Sequence, residues 1–391
     1  MTPSRGFGAI HVAGRCPSWF LGWVLLLLHA LAHAQAASPV APLETPALAG
    51  DGWQRLSPAE AGFDPARLHA LLLEMMDGRA NLHGVVVERH GRLVAEAYRT
   101  GRDRTVNSLF AHTRAFGPEV RHDARSVGKS VIGLLVGVAL AQGRLKRVDT
   151  PVLEFYPEFP ELASPERRAI TLEHLLGMSS GLAWHEGGDG PDDEHKLMWK
   201  WTPVYHPLSR PVAVAPGTVF NYNSGGALLL ADILARATGM PWTEYARTAL
   251  FEPLGIRDVE WVGDFLGRPM AYTGLRMRPR DMAKLGRLVL NRGQWQGRQI
   301  VPSAWIDASL TPRLRTGFDD TGYGYLWWTG SAAWHDRAVP WAAAFGNGGQ
   351  RIFVAPDLDL CVVITAGAYG DLKVARQVNA FFREIVATVG R

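Results

Sequence analysis

Apolar residues recur along the chain with two different periods, and the change of period separates helical from strand-forming regions. Residues 64–76 carry apolar side chains at helical spacing, after an aspartate and a proline that suit the first positions of a helix. The segments 84–89 and 93–98 flank a turn that contains Gly91, which predicts a β-hairpin. Residues 130–140 are apolar almost all round, so they predict a helix buried at the centre of the fold.

Helical signals dominate the middle of the chain, and strand signals return near its end. Gly and Pro punctuation separates four further predicted helices, at residues 172–176, 227–238, 242–251 and 279–290. Strands are then predicted at 323–328, 351–354 and 360–365, followed by a closing helix at 372–386.

These patterns predict an α+β fold. A lone hairpin is marginally stable, so we expect the two strand regions to form one antiparallel sheet, flanked by the terminal helices. The helical middle is expected to form an all-helical subdomain. The predicted division is an α/β lobe at about 51–120 and 320–391, and a helical lobe at about 121–319.

The N-terminus has the pattern of a secretory signal peptide. Arg5 and Arg15 precede an apolar stretch at 19–31, and small residues then predict cleavage near Ala34 or Ala36. An uncleaved membrane anchor is the alternative, which the shortness of the apolar stretch disfavours. No cysteine stands at the cleavage point to carry a lipid.

We therefore expect a signal peptide at 1–36, a flexible Ala- and Pro-rich lead-in at 37–50, and a mature hydrolase domain at 51–391. The mature chain is expected to be exported, either periplasmic or secreted, with no membrane contact after cleavage.

Composition restricts the classes of function. The chain has 391 residues, of which 47% are hydrophobic and 20% charged, as in ordinary globular proteins. Residues 1–36 hold two arginines and no acid, so cleavage takes the formal charge from +4 to +2. With no basic cluster, nucleic acid is not an expected partner. Cys361 would then be the only cysteine, and its apolar neighbours predict packed core without chemistry.

The strongest chemical signal is a serine three residues before a lysine, Ser126 and Lys129, at the start of the predicted buried helix. Residues three apart lie on one helix face. Since residues 131–140 offer no polar surface, we expect the amine to be enclosed, with a pKa lowered by burial, and able to accept the serine proton. Backbone N–H groups at the helix N-terminus would stabilise an oxyanion. A cap with a solvated lysine is the alternative.

Tyr222 is the second candidate, in a loop that enters the helix at 227–238. Held near the lysine ammonium, its hydroxyl would have a lowered pKa and could pass a proton between nucleophile and leaving group. A tyrosine that only fills a loop is the alternative.

Together these segments resemble the serine beta-lactamase and penicillin-binding-protein superfamily, in its class C-like esterase and amidase branch. The resemblance extends to three further blocks, at residues 171–182, 274–286 and 346–350. It implies a beta-lactamase/transpeptidase-like fold and an acyl-enzyme on Ser126, with Lys129 and Tyr222 as general base and acid. It also implies an oxyanion bound by the backbone N–H groups of Ser126 and Asn347, and neither a cofactor nor a metal.

Two departures from that family pattern bear on the substrate. The family often has Tyr-x-Asn where this chain has Ser224 in the third position, and its Lys- or His-Thr-Gly motif falls on Ala344, Phe345 and Gly346. The cationic group that would bind a substrate carboxylate is then missing. The pattern is closer to 6-aminohexanoate-dimer hydrolases and carboxylesterases, so the expected partner is a small-molecule ester or amide.

Ser224, Gly346 and Trp327 are the candidate pocket residues. The wider aromatic group is expected to be divided between pocket and core; its members are Trp199, Trp201, Tyr325, Trp327 and Trp328.

Three competing hypotheses remain open. Residues 177–181 match the Gly-x-Ser-x-Gly nucleophile elbow, but a helix rather than a strand precedes them. The acidic and histidine-containing stretch 185–195 could bind a metal, although a solvated loop near the pocket mouth fits its glycines better. The whole protein could be a beta-lactamase or D,D-peptidase, which Ala344 disfavours, or a catalytically silent binding protein, which the retained Ser126, Lys129 and Tyr222 disfavour.

Overall fold

The computed structural model describes residues 50–187 and 192–391. The predicted signal peptide at 1–36 lies outside the described residues, as does the lead-in up to residue 49. Within the described residues, no helix combines the length and apolarity that crossing a bilayer requires.

The helices of the described residues are numbered in chain order. They are α1 Pro65–Met75, α2 Val127–Ala141, α3 Pro165–Arg168, α4 Leu172–Leu176, α5 Asp193–Leu197, α6 Tyr205–Leu208, α7 Ser224–Thr238, α8 Trp242–Ala246, α9 Pro279–Leu290, α10 Ser303–Leu310 and α11 Leu372–Ala387.

The strands are numbered in the same way. They are β1 Gln54–Arg55, β2 Leu82–Arg89, β3 Arg92–Tyr98, β4 Thr100–Asp103, β5 His112–Ala115, β6 His122–Arg125, β7 Val259–Trp261, β8 Leu275–Met277, β9 Gln294–Trp295, β10 Arg298–Gln299, β11 Leu314–Arg315, β12 Gly322–Tyr323, β13 Trp328–Trp334, β14 Arg337–Gly346, β15 Gln350–Ala355 and β16 Leu360–Ala366.

One large sheet joins the two ends of the chain. Its strand order is β1-β3-β2-β16-β15-β14-β13-β12-β11. The N-terminal and C-terminal strands meet where β2 pairs antiparallel with β16, with Val86 opposite Val363. All neighbours are antiparallel except β1, which runs parallel to β3. The α+β class and the shared sheet predicted from the sequence are confirmed.

Strand alternation gives the sheet two buried faces. Val85 and Val87 pack in the cluster that contains the terminal helices α1 and α11, where Phe353 and Phe382 stack with ring centroids 4.1 Å apart. Val86 belongs to the opposite cluster, with α2 and α9. Cys361 is fully buried on that second side, as expected of a core residue.

Two details differ from the sequence expectations. The middle region, predicted to be all-helical, also contains the three-stranded sheet β6-β8-β7 and the hairpin β9-β10. The strand predicted at 323–328 is interrupted, because a turn closed by the hydrogen bond from Gly324 N to Trp327 O separates β12 from β13. Leu326 in that turn has φ +59°, a left-handed conformation that a strand excludes.

Candidate active site

Ser126 lies where β6 turns abruptly into the buried helix α2. The preceding residue, Arg125, has φ +53°, an uncommon conformation for a residue with a side chain. Its guanidinium is held by a hydrogen bond to the Arg104 carbonyl (2.8 Å) and by Asp123 at 3.6 Å. Ser126 occupies the N-cap position, but its side chain does not cap the helix. Its hydroxyl is therefore left for other partners, and the cap alternative does not apply.

Lys129 is enclosed, as the sequence predicts, with only 1% of its surface exposed. Its Nζ donates to Ser126 Oγ (2.8 Å) and to the carbonyl oxygen of Tyr272 (2.8 Å). Among the described residues, no carboxylate forms an ion pair with this amine. Burial lowers the pKa of Lys129, while the more distant charges of Glu186 and Glu194 act in the opposite direction.

Tyr222 completes the group, although its electrostatics differ from the prediction. Lys129 Nζ lies 4.9 Å from the centroid of the Tyr222 ring, and the Tyr222 hydroxyl lies near Ser126. The pKa of Tyr222 is raised well above its usual range, mainly by burial and then by the Glu186 charge, against the effect of Ser126. The expectation of a lowered pKa is therefore wrong. At neutral pH the side chain is a phenol that can donate a proton.

The end of β14 lies against the chain just before Ser126. A side chain at Gly346 would overlap the carbonyl oxygen of Ala124, so only glycine permits this approach. The next residue, Asn347, is fixed by its side chain, which accepts from Gly370 N at 2.8 Å. Among the described residues, the backbone N–H groups of Ser126 and Asn347 have no hydrogen-bond partner. Both are available to a developing oxyanion.

Ala344 stands where the family has Lys or His, so this position carries no charge, and the residue is fully buried. A cation that sequence reasoning missed lies on the neighbouring strand. Arg351 stacks 3.9 Å from the centroid of the Phe345 ring and donates to the Gly346 carbonyl at 3.1 Å. Its guanidinium therefore supports the end of β14 from inside the protein, and burial lowers the pKa of Arg351 to about 9.

An aromatic wall stands beside Tyr222. Trp328 lies 5.9 Å from Tyr222 and stacks on Phe345 at 5.1 Å, between ring centroids. Trp327, predicted to line the pocket, is instead packed in the core with 1% of its surface exposed. Trp328 rather than Trp327 therefore lies beside Tyr222. The turn that interrupts the predicted strand explains this, because it breaks the strand alternation from which Trp327 was predicted to face the pocket.

The predicted division of the aromatic group between pocket and core holds for Tyr325, which is in the core, but not for Trp199 and Trp201. Tyr325 is buried and donates to Glu173 at 2.6 Å, whereas Trp199 and Trp201 are exposed.

Two carboxylates near the site, Glu186 and Glu194, belong to the stretch 185–195 that the sequence analysis expected near the pocket mouth. Glu186 accepts hydrogen bonds from the hydroxyl and the backbone N–H of Ser224, at 2.7 and 2.8 Å. The candidate pocket residue Ser224 is thus fully buried and anchors this segment to the start of α7. The pKa of Glu194 is raised to about 8 by burial and by Glu186, against the effect of Lys129. Sequence reasoning noted Ser224 and the stretch 185–195 separately but did not predict the contact between Ser224 and Glu186.

The geometry does not support the two alternative sites, the nucleophile elbow at 177–181 and the metal site at 185–195. Ser179 and Ser180 are buried after helix α4, with no strand leading into them, so the nucleophile-elbow hypothesis is wrong. In the stretch 185–195, of which 188–191 lie outside the described residues, the described side chains form no metal-ligand cluster. Asp193 there is engaged by Lys196 at 2.8 Å.

Comparisons with known proteins agree with this geometry. The Beta-lactamase family model matches residues 72–381. The chain is 26% identical over 336 residues to a 6-aminohexanoate-dimer hydrolase of Paenarthrobacter ureafaciens, covering 79% of this chain and 80% of that protein. It is 29% identical over 231 residues to Esterase EstB of Burkholderia gladioli, covering 53% and 55%.

A solved structure supports the fold assignment. EstCE1, described as a hydrolase with promiscuous acyltransferase activity, superposes with a TM-score of 0.63 at 17% identity, covering 83% of this chain and 98% of that one. Since the family model spans most of the chain, this protein belongs to the beta-lactamase family and is a hydrolase of that superfamily.

Proposed function

We propose that the protein cleaves a small ester or amide through an acyl-enzyme formed on Ser126. The observation that carries the proposal is the state of Lys129: a buried amine with a lowered pKa, in contact with the Ser126 hydroxyl and, among the described residues, in no ion pair with a carboxylate. Such an amine is readily neutral, and a neutral amine accepts a proton.

In acylation, the neutral Lys129 amine takes the Ser126 proton while Oγ attacks the substrate carbonyl carbon. The oxyanion is stabilised by the N–H groups of Ser126 and Asn347. Tyr222, a phenol at neutral pH, donates its proton to the leaving oxygen or nitrogen. The Lys129 ammonium then transfers its proton to the Tyr222 phenolate beside it, which restores both groups; Nζ lies 4.9 Å from the centroid of that ring. Water then attacks the acyl carbon, and the proton transfers run in reverse to release the acid.

The substrate class follows from two features. Ala344 leaves no cation at the position that would hold a substrate carboxylate, which disfavours penicillins and stem peptides. The names of the two relatives, a dimer hydrolase and an esterase, favour small amides and esters. We also propose that the chain is exported after cleavage near residue 36.

The test is to label the chain without residues 1–36 with a fluorophosphonate and to locate the adduct by mass spectrometry. We expect it on Ser126. Ser126→Ala should lower kcat/KM for short-chain p-nitrophenyl esters by about 10⁴-fold or more, while the control Ser179→Ala keeps activity. An adduct on Ser179 or Ser180 would overturn the assignment. Rapid turnover of a chromogenic cephalosporin without esterase activity would show a penicillin-recognising enzyme instead. Neither an adduct nor turnover of any of these substrates would favour a binding protein.

A further inference from the structure

A second group of chemically able side chains lies apart from Lys129 and Tyr222. His83, Asp103 and His122 are all buried, and one potential ligand atom from each lies within 4.8 Å of the others. They come from three strands, β2, β4 and β6. Their separation in sequence follows no metal motif, so the cluster exists only because the fold assembles it.

The hydrogen bonds around His122 define which of its nitrogens carries hydrogen. Nδ1 lies 3.1 Å from the carbonyl oxygen of Asp123, which can only accept. Nδ1 must therefore be the donor. In a neutral ring the other nitrogen, Nε2, then has a free lone pair.

The same reasoning applies to His83. Its Nε2 lies 3.2 Å from Asn81 Oδ1. The orientation of that amide is fixed, because Asn81 Nδ2 donates to Arg102 O at 2.9 Å and Oδ1 accepts from Arg102 N at 3.3 Å. Nε2 of His83 must therefore donate, which leaves Nδ1 with a free lone pair.

These two lone pairs point at each other across 2.7 Å, from His83 Nδ1 to His122 Nε2. Two acceptors at that distance repel unless a cation lies between them. A proton would satisfy the two nitrogens alone, whereas a metal ion would engage all three potential ligands, since the Asp103 carboxylate also lies within 4.8 Å of both histidines. A metal ion satisfies both nitrogens, and the Asp103 carboxylate offsets one of the two positive charges of a divalent ion.

We propose that His83, Asp103 and His122 bind one divalent transition-metal ion, for which Zn²⁺ is the best match. Two imidazoles and a carboxylate are ligands that zinc accepts, with one position left for water. Each imidazole donates its other N–H to an oxygen, the second contact that orients histidine ligands in metal sites.

The surroundings suit such a site. A cavity of about 500 Å³ reaches the cluster on the Asp103 side, where Asn81, Tyr369, Arg102 and Arg104 also line it. Phe116 stacks on His83 with centroids 4.1 Å apart and covers the other side. Side chains at Gly101 or Gly367 would overlap the His83 ring, so glycine at both positions makes room for it.

Metal binding requires small rearrangements. Ligands of a tetrahedral zinc lie about 3.3 Å apart, so the two imidazoles must separate by about 0.6 Å and the carboxylate must move inward. The bound ion would join β2, β4 and β6. Because β6 ends directly before Ser126, the ion would stabilise the strand that positions the serine. This proposal is independent of the proposed hydrolysis.

The test uses the full mature chain without a polyhistidine tag, stripped with a chelator and titrated with Zn²⁺ and with Co²⁺. We expect one ion per chain, a Kd below about 1 µM, visible absorption from bound Co²⁺, and a rise in Tm of about 4 °C at saturating Zn²⁺. His122→Gln should weaken Zn²⁺ binding at least about 100-fold, and so should Asp103→Asn, the smaller change in side chain. The control His69→Gln, at an exposed position, should leave Zn²⁺ binding unchanged.

Two results would overturn the proposal. One is a wild-type chain that binds no stoichiometric Zn²⁺ after stripping. The other is undiminished binding by Asp103→Asn together with His122→Gln. If His122→Gln does not fold, the wild-type stoichiometry, the Co²⁺ spectrum and Asp103→Asn still decide between the outcomes.

Discussion

Two helices of this protein each bury a lysine three residues after a polar side chain, and they use it differently. In α2 the pair is Ser126 and Lys129, and the amine contacts a hydroxyl and a carbonyl. In α9 the pair is Asp281 and Lys284, and the amine forms an ion pair with the carboxylate at 3.0 Å. The exposed fractions are 1% for Lys129 and 3% for Lys284.

The comparison teaches that burial and spacing alone do not make a lysine reactive. A carboxylate stabilises the ammonium form, so the α9 pair is suited to holding structure together. A hydroxyl and a carbonyl compensate the charge only in part, so the α2 amine has a lowered pKa and can act as a base. The identity of the residue three positions earlier decides between the two outcomes.

The largest effect should follow from removing the α2 amine. We expect Lys129→Met to lower kcat/KM for p-nitrophenyl esters by about 10⁴-fold, because the serine loses its base. Stability should change little, since no carboxylate among the described residues forms an ion pair with Lys129. Steady-state kinetics and thermal unfolding check both parts. Activity within tenfold of wild type would remove Lys129 from the mechanism.

The reverse result is expected in α9. Lys284→Met leaves Asp281 buried without its ion-pair partner and should lower the free energy of unfolding by about 3 kcal/mol. Folded Lys284→Met protein should keep its kcat. The double variant Asp281→Asn/Lys284→Met should recover part of the loss in denaturant unfolding. If Lys284→Met is as stable as wild type, the ion pair between Asp281 and Lys284 does not stabilise the fold as we infer.

A smaller effect should follow from altering the charges around Lys129. Glu194 raises the pKa of Lys129 when it is ionised, and its own pKa is about 8. If neutral Lys129 is the base, kcat/KM rises with pH through the Lys129 pKa. Glu194→Gln removes a charge that raises this pKa, so the rising limb should move to lower pH by about one unit.

The matched control for that shift is Glu384→Gln, an exposed carboxylate on α11. Its pH profile should coincide with that of the wild type. A Glu194→Gln profile that moves to higher pH, or not at all, would mean that another group than Lys129 limits the rate.

Much of the fold could be predicted from local patterns. The apolar repeat of α2 and the hairpin of β2 and β3 are local signals, and both elements appear where expected. The turn around Leu326 could not be predicted in this way, because its conformation depends on a hydrogen bond to Leu176, far away in the sequence. Short strands such as β6 and β7 likewise form only because β8, distant from β6 in the sequence, pairs with both.

The candidate site likewise combines contacts that local sequence predicts with contacts between distant segments that it does not. Ser126 and Lys129 share one helix face, so their contact follows from spacing. The contact of Glu186 with Ser224, the support of Gly346 by Arg351 and the meeting of His83 with His122 join distant segments. The raised pKa of Tyr222 was missed because its main cause, burial, is a property of the assembled site.

The pairing of β2 with β16 makes completion of the chain a condition for folding. While the last strand is still being synthesised, β2 presents an unpaired apolar edge, which favours aggregation. A truncation that removes β16 should therefore produce insoluble protein rather than a smaller enzyme.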